Sequence, residues 1–450
     1  MNLNTTNISI IKRLLGGRNS RPLKSILSKI EAADLSKLFS MLNDREIRLF
    51  IDALMAVDKA SVALKELPPP QLSDILHKLD TQKLVTLLSY GAEDDSAYFL
   101  TLIEPETERD QILNLIEPVL RLRLTQLLSY PEGSAGRAMS TQVFTLPADQ
   151  TVQEAIEAVR LRSKEESVYY IYCVDDDGRL IGVLSLRALV TASANTPLEG
   201  VMKPNPVTVS ANTEAQKVAE LVSHYDFVAI PVVDTEKRIL GIITVDDVLD
   251  IIQEQATADI YATAGLQEDD RVYTRPLDSI RNRLPWMVLN LFLAVTVSSV
   301  VALFESTMSS LIILASLNNI VAGIGGNTAI QTLTVVTRGL ATGDFNFISY
   351  LRAVVKEIKV GITLGVVTGM LAGVVVYFWK GNPVVAGVIC VAMILNSLVA
   401  SGMGALVPIF LKRMNWDPAS GSGVLVTFMT DSFGFFSFLG IATLAMKHFG

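Results

Sequence analysis

Histidine and cysteine are scarce in this chain, with three of one and two of the other among 450 residues. Cys173 and Cys390 stand in different halves and within apolar runs, so neither a disulfide framework nor a cysteine-based zinc site is indicated. His77, His224 and His448 are scattered, which leaves no HExxH pair and no Cys/His cluster. A Walker A loop is missing as well. GIGGNT at 323–328 has the glycines of a phosphate loop but no lysine, and it lies in an apolar run where close helix packing explains the glycines. These absences leave no catalytic apparatus for a metallohydrolase or an ATP-driven machine. Charge is also sparse, at 19 %, against 50 % hydrophobic residues, too apolar for an ordinary soluble protein of this length.

The charge that exists is unevenly placed. Residues 1–256 carry 36 Asp and Glu against 26 Lys and Arg, a net of −10, whereas residues 257–450 carry 10 against 12, a net of +2. The apolar runs lie in the second half. Five of them, roughly 285–306, 310–337, 355–378, 383–411 and 421–446, each reach or exceed the ~20 residues that a spanning helix needs. Near the start, MNLNTTNISIIKRLLGGRNSRPLKS is basic but lacks a continuous apolar run with a small-residue cleavage site, so no signal peptide is expected. With the first half in the cytosol, Arg281, Arg283, Arg338, Arg352, Lys356, Lys359, Lys412 and Arg413 fall inside, and only Lys380 and Lys447 outside. The positive-inside rule thus predicts a multi-pass protein of the cytoplasmic membrane, N-terminus in and C-terminus out.

The first half divides again. Residues 1–130 contain leucine-rich helical periodicity, and LLSY closes two units at 87–90 and 127–130, predicting an all-α, superhelical acidic domain. Over 131–252 a repeat is clear: IYCVDDDGRLIGVLSLRAL at 171–189 answers IPVVDTEKRILGIITVDDVL at 230–249, and AMSTQVFTLPADQTV at 138–152 answers VMKPNPVTVSANTEA at 201–215. Each copy predicts an extended segment, helix, strand, turn, strand and helix, an α/β pair packed face to face. A connecting helix is expected over 253–280, followed by the α-helical membrane domain over 281–450.

Within that last domain, VTFMTDSFGFF at 426–436 places Asp431 in an apolar stretch. A carboxylate at the bilayer centre costs ~2.5–3.5 kcal/mol on translocon-based scales, so it normally faces a bundle interior or a watery path. Asp431 lies about ten residues into its segment, roughly 15 Å, near the midplane of a ~30 Å core. Thr427, Thr430, Ser432 and Gly434 give its helix a polar or small face, and Asn318, Asn319, Asn327, Thr328 and Gln331 do the same for the second segment. Amide and carboxylate oxygens are hard ligands for a solvated cation. The structural alternative is a buried hydrogen bond from Asp431 to another helix, with Asn396 as partner.

At this point the residues carry a resemblance. The paired copies resemble a tandem CBS module, and the order of acidic helical domain, CBS pair and five spans resembles the MgtE family of magnesium transporters. The likeness is densest in GRLIGVLSLR, HYDFVAIPVVD, GIITVDDVLDII, RLPWMVLNLFLA, ALFES, IVAGIGGNTAIQTL and TFMTDSFGFF. It implies a homodimeric Mg²⁺ channel or transporter, not an enzyme, partnered by the lipid bilayer and not by nucleic acid. Its pore would lie on the dimer axis, with Asp431 as the selectivity site and Asn327, Thr328, Gln331, Thr427, Thr430 and Gly434 as lining. It also implies cytosolic Mg²⁺ bound between domains by Asp94, Asp95, Asp226, Asp247, Asp250, Glu254 and Asp259, closing the pore. The family's acid set is only partly kept here, since Tyr98 stands near a usual acid and glutamines interrupt the connecting helix. CBS pairs often bind adenine nucleotides through Ser/Thr-x-x-Asp. Thr244 and Asp247 keep that spacing, whereas after Ser185 the acid is replaced by Ala188, leaving Tyr170 and Arg187 for base and phosphate of ATP. Two other readings stay open: a secondary carrier for another divalent cation such as Co²⁺, and a non-conducting CBS membrane sensor.

Overall fold

The structure is a computed structural model, and it describes residues 5–15, 21–162, 168–263, 266, 270–272, 274–346, 348–418 and 421–449. Positions 264–265, 267–269 and 273 of the expected connecting segment lie outside the described residues. The chain divides into two compact units, residues 1–254 and 255–450.

The first unit opens with short helices whose ends are set by side chains. Asn43 caps Asp44–Met55 in a capping box with Glu46, Asp80 accepts from the Lys83 amide at the start of Thr81–Tyr90, and Pro69 and Pro118 occupy first-turn positions. Their leucines turn inward to a core that includes Leu54, Leu64, Leu88, Phe99 and Leu124. The same core continues into Val218, Ile230, Ile243 and Val248 of the second CBS copy, so helical domain and CBS pair are packed as one body.

The two copies of the repeat share the same three-strand core. In the first, β1 (Thr145–Pro147) runs parallel to β2 (Tyr170–Val174), which pairs antiparallel with β3 (Leu180–Ser185), and β4 (Lys203–Pro204) closes that sheet. In the second, β5 (Val209–Ser210) runs parallel to β6 (Ala229–Val233), which pairs antiparallel with β7 (Ile239–Thr244). Both hairpins shift register at the same place, between Cys173 and Val174 and between Val232 and Val233. The leading segments are exchanged. Met202 and Lys203 of the second copy lie on β3 of the first, where Gly182 makes room for Met202; Met139 and Ser140 of the first lie on β7 of the second, where Gly241 makes room for Met139. Neither copy closes its sheet alone, which is the physical content of the sequence repeat.

The second unit holds, among the described residues, five helices long and apolar enough to cross a membrane: Pro276–Ala302, Ile313–Ala341, Tyr350–Lys380, Pro383–Arg413 and Ser422–Phe449. The fourth is central and the most buried of the five, and the first is peripheral and almost wholly exposed. Glycine governs one contact. Gly361, Gly365, Gly369 and Gly373 recur every four residues on the third helix and face Ser401, Ser397, Cys390 and Ala386 of the fourth. With no Cβ in the seam, the two backbones approach closely enough for van der Waals packing to hold them in a medium with no hydrophobic drive between helices.

Candidate functional sites

The first unit gathers an acidic junction between its helical domain and its second CBS copy. Asp94 and Asp95 stand in the first turn of Glu93–Thr101, where the helix dipole favours carboxylates. Asp247 stands in the first turn of Val245–Thr263, and its Oδ2 accepts from Thr244 Oγ1 at 2.7 Å. Between them lies Lys65, whose Nζ is 3.0 Å from Asp95 Oδ1 and 3.7 Å from Asp247 Oδ1. Burial, together with the charges of Asp95 and Asp247, pushes the Asp94 carboxyl up to about 6, and burial pushes Asp247 up as well. Burial works against the Lys65 ammonium too, but Asp95 outweighs it and holds Lys65 above the ordinary lysine range. Glu93, also buried, is held by Arg123 at 2.7 Å.

The other expected acids are placed differently. Asp226 caps its helix in the left-handed region and is exposed, as are Asp250 and Glu254. Asp259 belongs to the second unit, where Gln255 donates to it at 2.9 Å; burial and the nearby Asp417 raise its pKa. Asp417, between the fourth and fifth long helices, is an acid that the sequence reading missed, because 158 residues separate it from Asp259. Lys65 was missed for the same reason. Among the described residues no group of three or more His, Cys, Asp or Glu is arranged to hold a metal ion.

The expected nucleotide residues are dispersed over the two CBS copies. Tyr170 on β2 is half-buried and lies 6.4 Å, ring to ring, from Tyr172; Arg187 is exposed on the helix after β3. Ser185 Oγ accepts from the Ala188 amide, an N-cap that does not need the missing acid. Thr244 already donates to Asp247.

In the second unit Asp431 is half-buried on the fifth helix, with no ion-pair partner among the described residues. Asn396 of the fourth helix is engaged elsewhere. Its Nδ2 donates to Val321 O at 2.9 Å, and its amide fills the space left by Gly325 on the second helix and Gly434 on the fifth. A Cβ at Gly434 would stand 2.8 Å from Nδ2. Asn396 therefore joins the second, fourth and fifth helices, meeting the fifth at Gly434, three residues along the chain from Asp431. Asn327 and Gln331 lie exposed on the second helix. Thr328, Thr430 and Gly434 turn into the bundle, where Thr328 and Thr430 donate to Ile324 O and Thr427 O, while half-buried Thr427 donates to Gly423 O. Of the GIGGNT glycines, Gly325 is pressed against Asn396, and Gly323 and Gly326 meet nothing. A buried carboxylate, Glu357, begins the third helix's glycine seam and pairs with Lys356. Ahead of the first long helix, Asp270 accepts from Ser279 Oγ and Arg283 Nε, both at 2.5 Å, and Arg271 lies over the Tyr261 ring.

Comparison with known proteins covers most of this arrangement. A family model for the MgtE intracellular N domain matches residues 30–133, CBS domain models match 135–195 and 198–254, and the MgtE model, described as a divalent cation transporter, matches 318–441. The magnesium transporter MgtE of Thermus thermophilus is 33 % identical over 434 residues, 95 % of this chain and 96 % of its own. That of Bacillus subtilis is 29 % identical over 96 % of this chain and 95 % of its own. Among solved structures, the cytosolic domain of the Mg²⁺ channel MgtE in complex with ATP is 33 % identical, with a TM-score of 0.50 over 54 % of this chain and 99 % of that one. The chain, with its helical domain, CBS pair and five long helices, belongs to the MgtE family of divalent cation transporters.

Proposed function

We propose that this chain carries Mg²⁺ across the cytoplasmic membrane, N-terminus inside, through its five-helix unit, and that Asp431 is the cation site. The observation that supports this most is the isolation of Asp431. A carboxylate among apolar side chains, with its one candidate partner Asn396 engaged by Val321, is stabilised when a cation is present. Mg²⁺ prefers octahedral oxygen ligands and keeps several waters, so the requirement is for a few oxygens facing a hydrated ion and not for a closed cage. A second copy across a twofold axis would supply a second Asp431, and the exposed amides of Asn327 and Gln331 would face the same space. Helix ends support the orientation: Arg281, Arg283, Arg338, Arg352, Lys412 and Arg413 fall at one set of ends and Lys380 at the other.

Regulation belongs to the same reading. Cytosolic Mg²⁺ held by the exposed acids Asp226 and Asp250 of the first unit, and between Asp259 and Asp417 of the second, would reduce local repulsion and favour a compact, closed state. ATP, present with the relative's cytosolic domain, would find Tyr170 and Arg187 here but no acid at 188 for its ribose. The test of transport is Mg²⁺ entry into proteoliposomes loaded with a magnesium-sensitive dye. Uptake by the parent that collapses in Asp431→Ala supports the site; uptake that survives moves the site elsewhere, and none in either protein overturns the transport reading.

A further inference from the structure

The junction between the helical domain and the second CBS copy already contains a cation of its own. Lys65 ends helix Ala60–Lys65 in the first domain, yet its Nζ lies within 4 Å of carboxylates from two different elements: Asp95 at 3.0 Å and Asp247 at 3.7 Å. The acids are shielded from water, with side chains 7 % and 18 % exposed, and Lys65 itself is 37 % exposed. Their remaining oxygens are engaged too. Asp247 Oδ2 takes the Thr244 hydroxyl at 2.7 Å, and Asp95 Oδ2 the Ser61 hydroxyl at 3.4 Å. Asp94, alongside, adds a third carboxyl with a buried oxygen that lacks a hydrogen-bond partner. Three acids meeting in one partly desolvated space would repel, and apolar contacts between the domains would have to overcome that repulsion alone.

We propose that Lys65 is a resident cation that holds the helical domain to the second CBS copy, supplying from within the chain the charge that a divalent ion would otherwise bring to Asp95 and Asp247. An ion bridging those two acids must displace the ammonium that stands between them. This junction therefore closes without Mg²⁺, and any Mg²⁺ response of the first unit is shifted to acids that Lys65 does not reach, such as Asp226 and Asp250. The inference touches the regulatory reading above in naming Mg²⁺ as the competitor; the ion-pair geometry does not depend on transport.

Hydrogen exchange of the full-length protein in nanodiscs tests it, read on peptides covering 60–67 and 93–101, in EDTA and in millimolar Mg²⁺. The parent is expected to be protected equally in both. Lys65→Met should exchange about tenfold faster or more in EDTA and recover protection with Mg²⁺, while Lys65→Arg behaves as the parent. The double variant Lys65→Met/Asp95→Asn removes the repulsion with the cation and should be protected in EDTA again, which separates lost charge balance from misfolding. A parent unprotected until Mg²⁺ is added, a Lys65→Met protein as protected as the parent in EDTA, or a double variant that stays open would each overturn the proposal. Because exchange is read independently of flux, a failure of the transport assay leaves this result intact.

Discussion

Two half-buried carboxylates in this molecule are treated in opposite ways. Asp247, in the first unit, is surrounded by partners: a lysine from another domain on one oxygen and a threonine hydroxyl on the other. Asp431, in the helical bundle, has no cation beside it among the described residues, although Asn396 is one helix away and is used to join Gly325 and Gly434 instead. Desolvation disfavours both charges, and only one of them is compensated by the chain itself. On the function proposed above, the contrast is between an acid that stabilises a fold and an acid left available for an ion arriving from outside.

Breaking the uncompensated side should give the largest effect. Asp431→Ala is expected to lower Mg²⁺ uptake by about tenfold or more, because no other carboxylate on its helix can take over the charge. Its melting temperature in detergent should stay level or rise, since a partly desolvated acid with no ion-pair partner among the described residues is removed. A fall in stability with uptake intact would reverse the roles assigned here. Next comes the packing of the third helix on the fourth. Gly361→Ala would set a Cβ against Ser401 and 2.8 Å from Ser397 O, a backbone atom that cannot step aside. Overpacking of this kind costs about 1–3 kcal/mol and should appear as reduced thermal stability by size-exclusion chromatography, with uptake per folded protein less affected.

How much of this could be read in the sequence follows the range of the interaction. The spans were legible because twenty apolar residues in a row are a local signal, and the CBS pair because one copy can be laid on the other. The exchange of Met139 and Met202 between copies was not, since the repeat alone does not say which sheet a leading segment joins. Asp431 stood out because a charge is conspicuous in an apolar run. Lys65 did not, because one lysine in an amphipathic helix looks like any other until the fold brings it to acids 30 and 182 positions away. The glycine seam from 361 to 373 has a readable four-residue period, but its partners on the fourth helix come from packing alone.

On the compensated side the effect should be smaller and should fall on stability. Asp95→Ala leaves Lys65 with Asp247 alone and removes the acceptor of Ser61. Losing one partner of a buried pair costs about 3–5 kcal/mol, but Lys65 keeps partial contact with water, which reduces the expectation to about 1–2 kcal/mol. Faster hydrogen exchange over residues 60–65 checks it. Basal Mg²⁺ uptake measured with no Mg²⁺ on the cytosolic face should be unchanged, in contrast to Asp431→Ala.

The smallest effect expected is one of pH, and it comes from Asp94. Its carboxyl titrates at about 6 in the folded unit against 3.8 ordinarily, with burial as the main cause and the charges of Asp95 and Asp247 next. A group whose folded pKa is raised binds more protons in the native state, so stability falls as pH rises from about 4 to about 6 and is level above that. Lowering the pH from 7 to 5 should therefore tighten the junction by about 1 kcal/mol, through neutralisation of one of the three acids around Lys65. Slower exchange of residues 93–101 at pH 5 than at pH 7, after correction for the intrinsic exchange rate, would show it. Asp94→Asn should have the tight form at both values and lose the slope. An unchanged slope in Asp94→Asn would assign the titration to another group at the junction and leave Lys65 balanced against Asp95 and Asp247 alone.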